Sequence, residues 1–265
     1  MKIAYIGIDL LISALFSLME NDCEIAEIFT CKTDNKTEFN TQIIETALKH
    51  NIPISVKKVT LSDLERMADM GCDAVICAGY YYKLPVCPRI PMVNIHPAYL
   101  PVGKGSWPMP IAILRRMEAS GVTIHKIAES FDTGDILLQT KFSLSENESL
   151  VSLMDKVNLV IKALIPILMH SFSTLYENAL PQGDGEYWQA PTAEDWTVTH
   201  DMDAEAADRI FRAFLGYECI YRTAEGDSFE LIGGKICFEK PQSNHFFVMD
   251  NGVYITADKI TELKA

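Results

Sequence analysis

The sequence lacks the features that define several large classes of protein. In its 265 residues, no hydrophobic run reaches the roughly 18 residues that a membrane-spanning helix requires. The seven cysteines are scattered and form no C-x-x-C pair, which argues against both a disulfide framework and a zinc site. The chain begins as a strand, KIAYIG, rather than as a secretory signal. We therefore predict a cytoplasmic protein that holds no metal and does not bind a membrane.

Positive charge is also scarce. The chain has 23 Lys and Arg against 36 Asp and Glu, which gives a formal net charge of -13. A protein with this charge binds a phosphate backbone only through a local basic patch that works against its overall field. The composition therefore disfavours nucleic acid as a partner, although a few clustered lysines would be enough to bind it.

Short apolar segments alternate with segments of helical spacing over the first half of the chain. The predicted strands are KIAYIG, EIAEIFT, IPISVKKV, DAVICAG and MVNIH. The predicted helices between them include LLISALFSLME, FNTQIIETALKH and LSDLERMAD. This alternation predicts an α/β fold with a Rossmann-like, mainly parallel sheet, whose ligands bind beyond the carboxyl ends of the strands. The first turn, YIGIDLL, lacks a G-x-G-x-x-G motif, so it does not predict a nucleotide cofactor.

The composition changes towards the C-terminus. The segment PQGDGEYWQAPTAEDW is rich in Gly, Pro and Asp and has no periodicity, which is typical of a linker. One amphipathic helix and several short alternating strands follow it. We predict a first domain over residues 1–180, a linker over 181–199, and a small β-rich, barrel-like domain over 200–265. Within the first domain, residues 149–179 predict a long helix that Pro166 kinks or divides.

Asn94 and His96 lie two residues apart at the end of the predicted strand MVNIH. Because alternate residues of a strand point to the same face, the carboxamide and the imidazole project together. Pro97 removes a backbone donor and favours an extended conformation at His96, so the strand ends here and opens into a loop. The two polar groups therefore lie where an α/β sheet binds its ligands.

Several short motifs follow one another in a fixed order. They are NIHPAYLP from Asn94, Lys104-Gly105, GVTIH from Gly121 and DTGDI from Asp132. Together, the motifs and their spacing resemble the folate-dependent formyltransferase family. The resemblance implies the formyltransferase fold, with the catalytic domain in residues 1–180 and 10-formyltetrahydrofolate as the formyl donor. The catalytic residues that it implies are Asn94, His96 and Asp132.

Formyl transfer requires side chains of this kind on chemical grounds. When an amine attacks the formyl carbon, negative charge develops on the carbonyl oxygen, and hydrogen-bond donors must stabilise it. Asn94 and His96 can supply those donors. A protonated His96 would serve better, and a nearby Asp132 would favour that form and relay the proton of the amine through water. His125 lies within an alternating strand, and we interpret it as a core or sheet-face residue.

The resemblance also implies residues that contact the cofactor and the substrate. Main-chain groups of the loop AGYYYKLP are expected to hold the pterin at Tyr82, Lys83 and Leu84. The opposite wall of that pocket is expected at Glu129, Ser130 and Phe131. Substrate contacts are expected at Lys104, Gly105 and Trp107, with the alternative that Trp107 is a packed residue at the start of a helix. Where many relatives have Ser-Leu after His-Pro, this chain has Ala98-Tyr99, which places a large ring at the edge of the pocket.

The charge pattern of the sequence favours a small acceptor amine. Relatives that formylate methionyl-tRNA have a longer, basic loop after the second strand. The corresponding loop here, residues 31–40, is short and has equal numbers of positive and negative side chains. We therefore predict transfer of the formyl group to a primary amine, with a nucleotide-linked amino sugar as the acceptor and no nucleic acid as partner. The alternatives are methionyl-tRNA formylation, hydrolysis of formyltetrahydrofolate, and an inactive folate-binding or interaction protein. The C-terminal domain would either wall the acceptor pocket or form a homodimer interface.

Overall fold

The computed structural model describes residues 1–36, 38–242 and 245–263. Residues that lie outside this description are Thr37, in the loop 31–40, and Ser243, Asn244, Lys264 and Ala265, in the predicted C-terminal domain. The chain forms two compact units. The first comprises residues 1–106, 119–142 and 154–188, and the second comprises residues 107–118, 143–153 and the chain from Gln189 onwards. The predicted domain bounds at residues 180 and 199 stay a prediction.

Strands and helices alternate along the first half of the chain, as the periodicity predicts. The strands are β1 (Lys2–Gly7), β2 (Glu24–Thr30), β3 (Ile54–Val56), β4 (Ala74–Ala78), β5 (Met92–His96), β6 (Ala119–Lys126), β7 (Ile136–Ser143), β8 (Thr197–Thr199), β9 (Glu218–Arg222), β10 (Ser228–Ile232), β11 (Lys235–Cys237), β12 (Phe247–Val248), β13 (Tyr254–Thr256) and β14 (Lys259–Leu263). The α-helices are α1 (Ser13–Glu20), α2 (Thr41–Lys49), α3 (Leu61–Asp69), α4 (Pro108–Leu114), α5 (Leu150–His170), α6 (Phe172–Glu177) and α7 (Ala204–Ala213).

A seven-stranded sheet forms the centre of the first unit, in the order β3-β2-β1-β4-β5-β6-β7. The strands from β3 to β5 are parallel to their neighbours, and β6 is antiparallel to β5. The central strands are almost continuously buried, as in β4, where every residue from Ala74 to Ala78 is buried. Strands that are covered on both faces need apolar side chains at every position, which explains their uninterrupted hydrophobic runs. The predicted mainly parallel α/β sheet is confirmed.

Strand register brings the loops that follow β4 and β5 to one edge of this sheet. Cys77 of β4 pairs with Asn94 of β5, so these two parallel strands end side by side. On the other side of β5, the antiparallel register pairs Asn94 with His125 and His96 with Thr123. The loops that follow β4 and β5 therefore begin next to each other.

The second unit is rich in β-structure, as the sequence predicts. One sheet has the order β14-β10-β9-β8, and a second sheet has the order β11-β13-β12. Helix α7 begins after Asp203, whose carboxylate accepts hydrogen bonds from the main-chain N–H groups of Glu205 and Ala206. This cap satisfies donors that the first turn of a helix leaves free.

The long helix predicted near the middle of the chain is α5, and Pro166 lies inside it without ending it. The missing Pro N–H leaves the carbonyl of Lys162 without its helical donor. Both residues are exposed, so water can hydrate that carbonyl. The division comes instead at Ser171, between α5 and α6. Among the helices of residues 1–36, 38–242 and 245–263, none has both the length and the hydropathy needed to cross a membrane.

Candidate active site

The side chains of Asn94, His96 and Asp132 meet at the carboxyl end of β5. The Nδ2 of Asn94 donates a hydrogen bond to Oδ1 of Asp132 at 3.4 Å. The Nδ1 of His96 lies 3.5 Å from the same oxygen. Asn94 is half-buried, whereas His96 and Asp132 are only 4% and 9% exposed. The carboxamide is therefore the member of the group that is open to a ligand, and the imidazole and the carboxylate lie behind it.

Hydrogen bonding determines which nitrogen of His96 carries a proton. Nε2 lies 2.8 Å from the carbonyl oxygen of Gly103, and a carbonyl can only accept, so Nε2–H is the donor. The lone pair of the neutral ring is then at Nδ1, which faces Asp132. His96 is thus held as one tautomer, with a vacant protonation position directed at a carboxylate.

Burial favours the neutral form of His96. It lowers the pKa of the imidazole below the ordinary value, and this effect outweighs the opposing contributions of Asp132 and the Gly103 carbonyl. The protonated form, which would serve the reaction better, is therefore disfavoured in the free protein. Asp132 does favour the cation, as predicted, but the loss of hydration on burial is the larger effect.

Asp132 is ionised across the physiological range. Burial alone would raise its pKa, but His96, His125 and the main-chain N–H of Gly105 together lower the pKa to about 2. That N–H donates to Oδ2 at 2.9 Å. Asp132 has a φ of 53°, in the left-handed region that few residues other than Gly adopt. The carboxylate of Asp132 therefore interacts with Gly105, His96 and His125, which are distant from the Asp-Thr-Gly turn or lie on another strand, and not only with the turn itself.

His125 is the residue that sequence reasoning missed. Its Nε2 lies 3.2 Å from Nδ2 of Asn94 and 3.4 Å from Oδ1 of Asp132, and its side chain is buried. The Nδ1–H donates to the carbonyl of Lys126 at 2.8 Å, which fixes the ring and keeps Nε2 in contact with both Asn94 and Asp132. His125 therefore orients the carboxamide. The interpretation of this histidine as a core or sheet-face residue describes its burial but not its position beside the site.

The residues predicted to bind substrate lie in different surroundings. Gly105 is buried and bonded to Asp132, and the neighbouring Lys104 is partly exposed. Trp107 belongs to the second unit, where its ring packs against Tyr217 at 4.9 Å and Phe214 at 6.1 Å between centroids. This packing matches the alternative of a packed tryptophan at the start of a helix, and the three substrate roles stay predictions.

The two loops predicted to hold the cofactor are mostly exposed. In the loop after β4, Tyr82 and Lys83 are exposed, whereas Leu84 is buried in a hydrophobic cluster with residues of β1, β4 and α3. The ring of Tyr82 meets that of Tyr80 edge to face at 5.6 Å. In the loop before Asp132, the exposed residues are Glu129, Ser130 and Phe131.

The pair Ala98-Tyr99 follows β5 and packs against β6. The hydroxyl of Thr123 donates to the carbonyl of Ala98 at 2.8 Å. Tyr99 packs over Gly121 so closely that a β-carbon at that glycine would lie 2.9 Å from its Cβ. The ammonium group of Lys141 lies 5.7 Å from the centre of the Tyr99 ring.

Within the described part of the chain, no group of three or more His, Cys, Asp or Glu side chains could hold a metal ion.

Comparison with known proteins gives one family. The family described as formyl transferase matches residues 24–167, which is more than half of the chain. Methionyl-tRNA formyltransferase from Anaplasma marginale is 29% identical over 199 residues, which cover 71% of this chain and 65% of that protein. The chain thus spans less than two thirds of the length of this relative.

Solved structures share the fold over most of the chain. HypX from Aquifex aeolicus superposes with a TM-score of 0.71 at 16% identity and covers 99% of this chain, which spans 47% of HypX. An N-formyltransferase from Helicobacter canadensis, solved with folinic acid and dTDP-3-aminofucose, has a TM-score of 0.67 at 16% identity, with 97% of this chain and 98% of that chain covered. The shared fold and the matched residues agree, and the chain belongs to the formyl transferase family.

Proposed function

We propose that this protein transfers the formyl group of 10-formyltetrahydrofolate to the primary amine of a nucleotide-linked amino sugar. The observation that carries the proposal is the meeting of Asn94, His96 and Asp132 around one oxygen of the carboxylate, at 3.4 and 3.5 Å. Membership of the formyl transferase family supports the reaction class. The Helicobacter canadensis protein, which was solved with a folate and a nucleotide-linked amino sugar, supports the choice of both substrates.

Asn94 stabilises the oxygen on which negative charge develops. Its amide nitrogen lies 3.2 Å from Nε2 of His125 and 3.4 Å from Oδ1 of Asp132, whereas a typical hydrogen bond measures about 2.9 Å. An oxyanion at normal hydrogen-bond distance competes well with these long contacts for the amide N–H groups. The loss of one such donor costs about 3 kcal/mol of barrier.

His96 and Asp132 transfer the proton of the amine. In the reaction, the amine nitrogen bonds to the formyl carbon, the bond from that carbon to N10 of the folate breaks, and one proton moves from the amine to N10. The vacant Nδ1 of His96 faces the carboxylate of Asp132 and can take this proton in transit. The imidazolium then has an acceptor at each nitrogen, the Gly103 carbonyl and the Asp132 carboxylate, and its positive charge also favours the oxyanion.

The folate is proposed to bind between the loops on either side of the site. Main-chain groups at Tyr82, Lys83 and Leu84 would face the pterin, with Glu129, Ser130 and Phe131 as the opposite wall. The exposed rings of Tyr82 and Phe131 offer flat apolar surfaces beside the polar main chain. When bound, the folate supplies the activated formyl group.

Charge favours a small acceptor. The net charge of -13 opposes binding of a long phosphate backbone, whereas Lys104 offers one positive charge to a diphosphate.

Methionyl-tRNA formylation is the second candidate. The observation that favours it is the 29% identity to an enzyme of that name, which exceeds the 16% identity to the Helicobacter canadensis protein. Both candidates use the same donor and the same three side chains, so only the acceptor separates them.

An assay of tetrahydrofolate release separates the alternatives. The protein is incubated with 10-formyltetrahydrofolate and, in parallel, with dTDP- and UDP-linked amino sugars, with methionyl-tRNA, or with no acceptor. We expect an absorbance change only with an amino sugar, and a formylated sugar by mass spectrometry. Turnover only with methionyl-tRNA would support the second candidate, turnover without an acceptor would indicate a hydrolase, and binding without turnover would indicate an inactive folate-binding protein.

A further inference from the structure

The segment from Leu180 to Trp188 contacts the loops of the site at several points. Leu180 and Ile136 exchange two main-chain hydrogen bonds, at 2.7 and 2.8 Å. The side chain of Gln182 donates to the carbonyl of Gly134 at 2.6 Å. These bonds tie the segment to the chain that follows Asp132 in the first unit. A segment with linker composition is therefore hydrogen-bonded to the chain that follows Asp132.

Trp188 holds the loop that follows β5. Its main-chain N–H donates to the carbonyl of Lys104 at 2.7 Å, and its own carbonyl lies directly against the α-carbon of Gly105. The indole ring lies on Gly103, where a β-carbon would be 3.2 Å from Cζ3. Its side chain is buried, and the indole N–H donates to Glu186 at 3.0 Å. Three consecutive residues of the loop are thus packed against one tryptophan.

The same three residues provide the main-chain groups that orient the catalytic side chains. The carbonyl of Gly103 accepts from Nε2 of His96 at 2.8 Å, and the N–H of Gly105 donates to Asp132 at 2.9 Å. Gly103 and Gly105 have φ values of 81° and 122°, which side chains with a β-carbon rarely adopt. Because glycine can adopt many backbone conformations, contacts from outside the turn help to hold it in one geometry.

We propose that Trp188 is a positioning residue that maintains the tautomer of His96 and the orientation of Asp132 through the Gly103–Gly105 turn. The inference rests on the proposed function for its kinetic readout, and the tautomer gives a readout that does not depend on it. Without the ring, the turn loses its packing at Gly103, and the carbonyl that selects Nε2–H can move away. A displacement of about 1 Å in catalytic geometry can lower a rate by about 100-fold.

The test compares Trp188→Ala and Trp188→Phe with Leu180→Ala as the matched control. Leu180 lies in the same segment, but its side chain is 70% exposed, so its truncation leaves the main-chain bonds intact. The tautomer of His96 is measured by the nitrogen chemical shifts of the ring in protein labelled at histidine, assigned from the spectrum of His96→Gln. Formyl-transfer kcat and KM are measured on the same samples and normalised to the fraction that binds the folate.

We expect Trp188→Ala to populate both tautomers of His96 and to lower kcat by about 10- to 100-fold, with KM changed by less than about threefold. Trp188→Phe restores a single tautomer and most of kcat, and Leu180→Ala matches the wild type. A normalised kcat of Trp188→Ala within threefold of the wild type, or an unchanged single tautomer, would overturn the proposal. If Trp188→Ala does not fold, Trp188→Leu is judged by the same criteria. If the wild type transfers no formyl group, the proposed function fails, and the tautomer measurement alone decides on Trp188.

Discussion

Replacing Asp132 by Asn removes one negative charge while keeping the shape of the side chain. In the structure, His96, His125 and Gly105 together lower the pKa of this carboxyl from its ordinary value of 3.8 to about 2. That difference corresponds to roughly 2 kcal/mol in favour of the ionised form. Because the folded-state pKa is depressed, this stabilisation is present above the unfolded pKa of about 3.9 and is lost as the pH falls towards 2.

We therefore expect Asp132→Asn to lower the free energy of unfolding in urea by up to about 2 kcal/mol at pH 7, with a difference that narrows below pH 4. Formyl transfer should fall by about 100- to 10,000-fold, since the proton relay loses its carboxylate. The pKa of His96, followed by NMR, should fall further because Asp132 supports the cation. Asp135→Asn is the matched control, since Asp135 lies in the same loop and pairs with Lys126 instead. Activity of Asp132→Asn within tenfold of the wild type, with an unchanged His96 pKa, would refute this reasoning.

Other substitutions test the remaining contacts. His125→Ala should lower kcat by about tenfold, because the Asn94 amide loses the ring contact that orients it, whereas the exposed His170→Ala should leave kcat unchanged. Equal kinetics for the two histidine variants would contradict the orienting role. Gly105→Ala should reduce both activity and thermal stability, since a β-carbon there meets the carbonyl of Trp188, and an unchanged melting temperature would show that the turn adapts. Lys104→Ala should raise KM for a nucleotide-linked acceptor by about tenfold at constant kcat, and lose this effect at high salt; an unchanged KM would remove Lys104 from the acceptor site.

The parts of the fold that local patterns determine could be predicted from the sequence. Uninterrupted apolar strands that alternate with amphipathic helices predict the parallel sheet. Strands that are buried on both faces consist almost entirely of apolar residues, and this composition can be recognised in the sequence. The pair Asn94 and His96 could be placed at a strand end because strand periodicity and Pro97 are local features. Asp132 was predicted from the resemblance, and the structure brings it to the other two side chains.

The parts that depend on register and burial could not be predicted. His125 faces Asn94 only because β6 pairs with β5 in one antiparallel register, and no local signal sets that register. The lowered pKa of His96 follows from burial, which is a tertiary property. Trp188 lies more than eighty residues after the turn that it supports, within a segment whose composition is typical of a linker.

The most direct test of the account is the single-turnover rate of formyl transfer from bound 10-formyltetrahydrofolate to a nucleotide-linked amino sugar, in the wild type and in Asn94→Ala. Asn178→Ala, an exposed asparagine at the end of α6, is the control. The account predicts that Asn94→Ala lowers the rate by at least about 100-fold, while its folate affinity and the rate of the control stay unchanged. Equal rates in Asn94→Ala and the wild type, with both proteins saturated with folate, would contradict it.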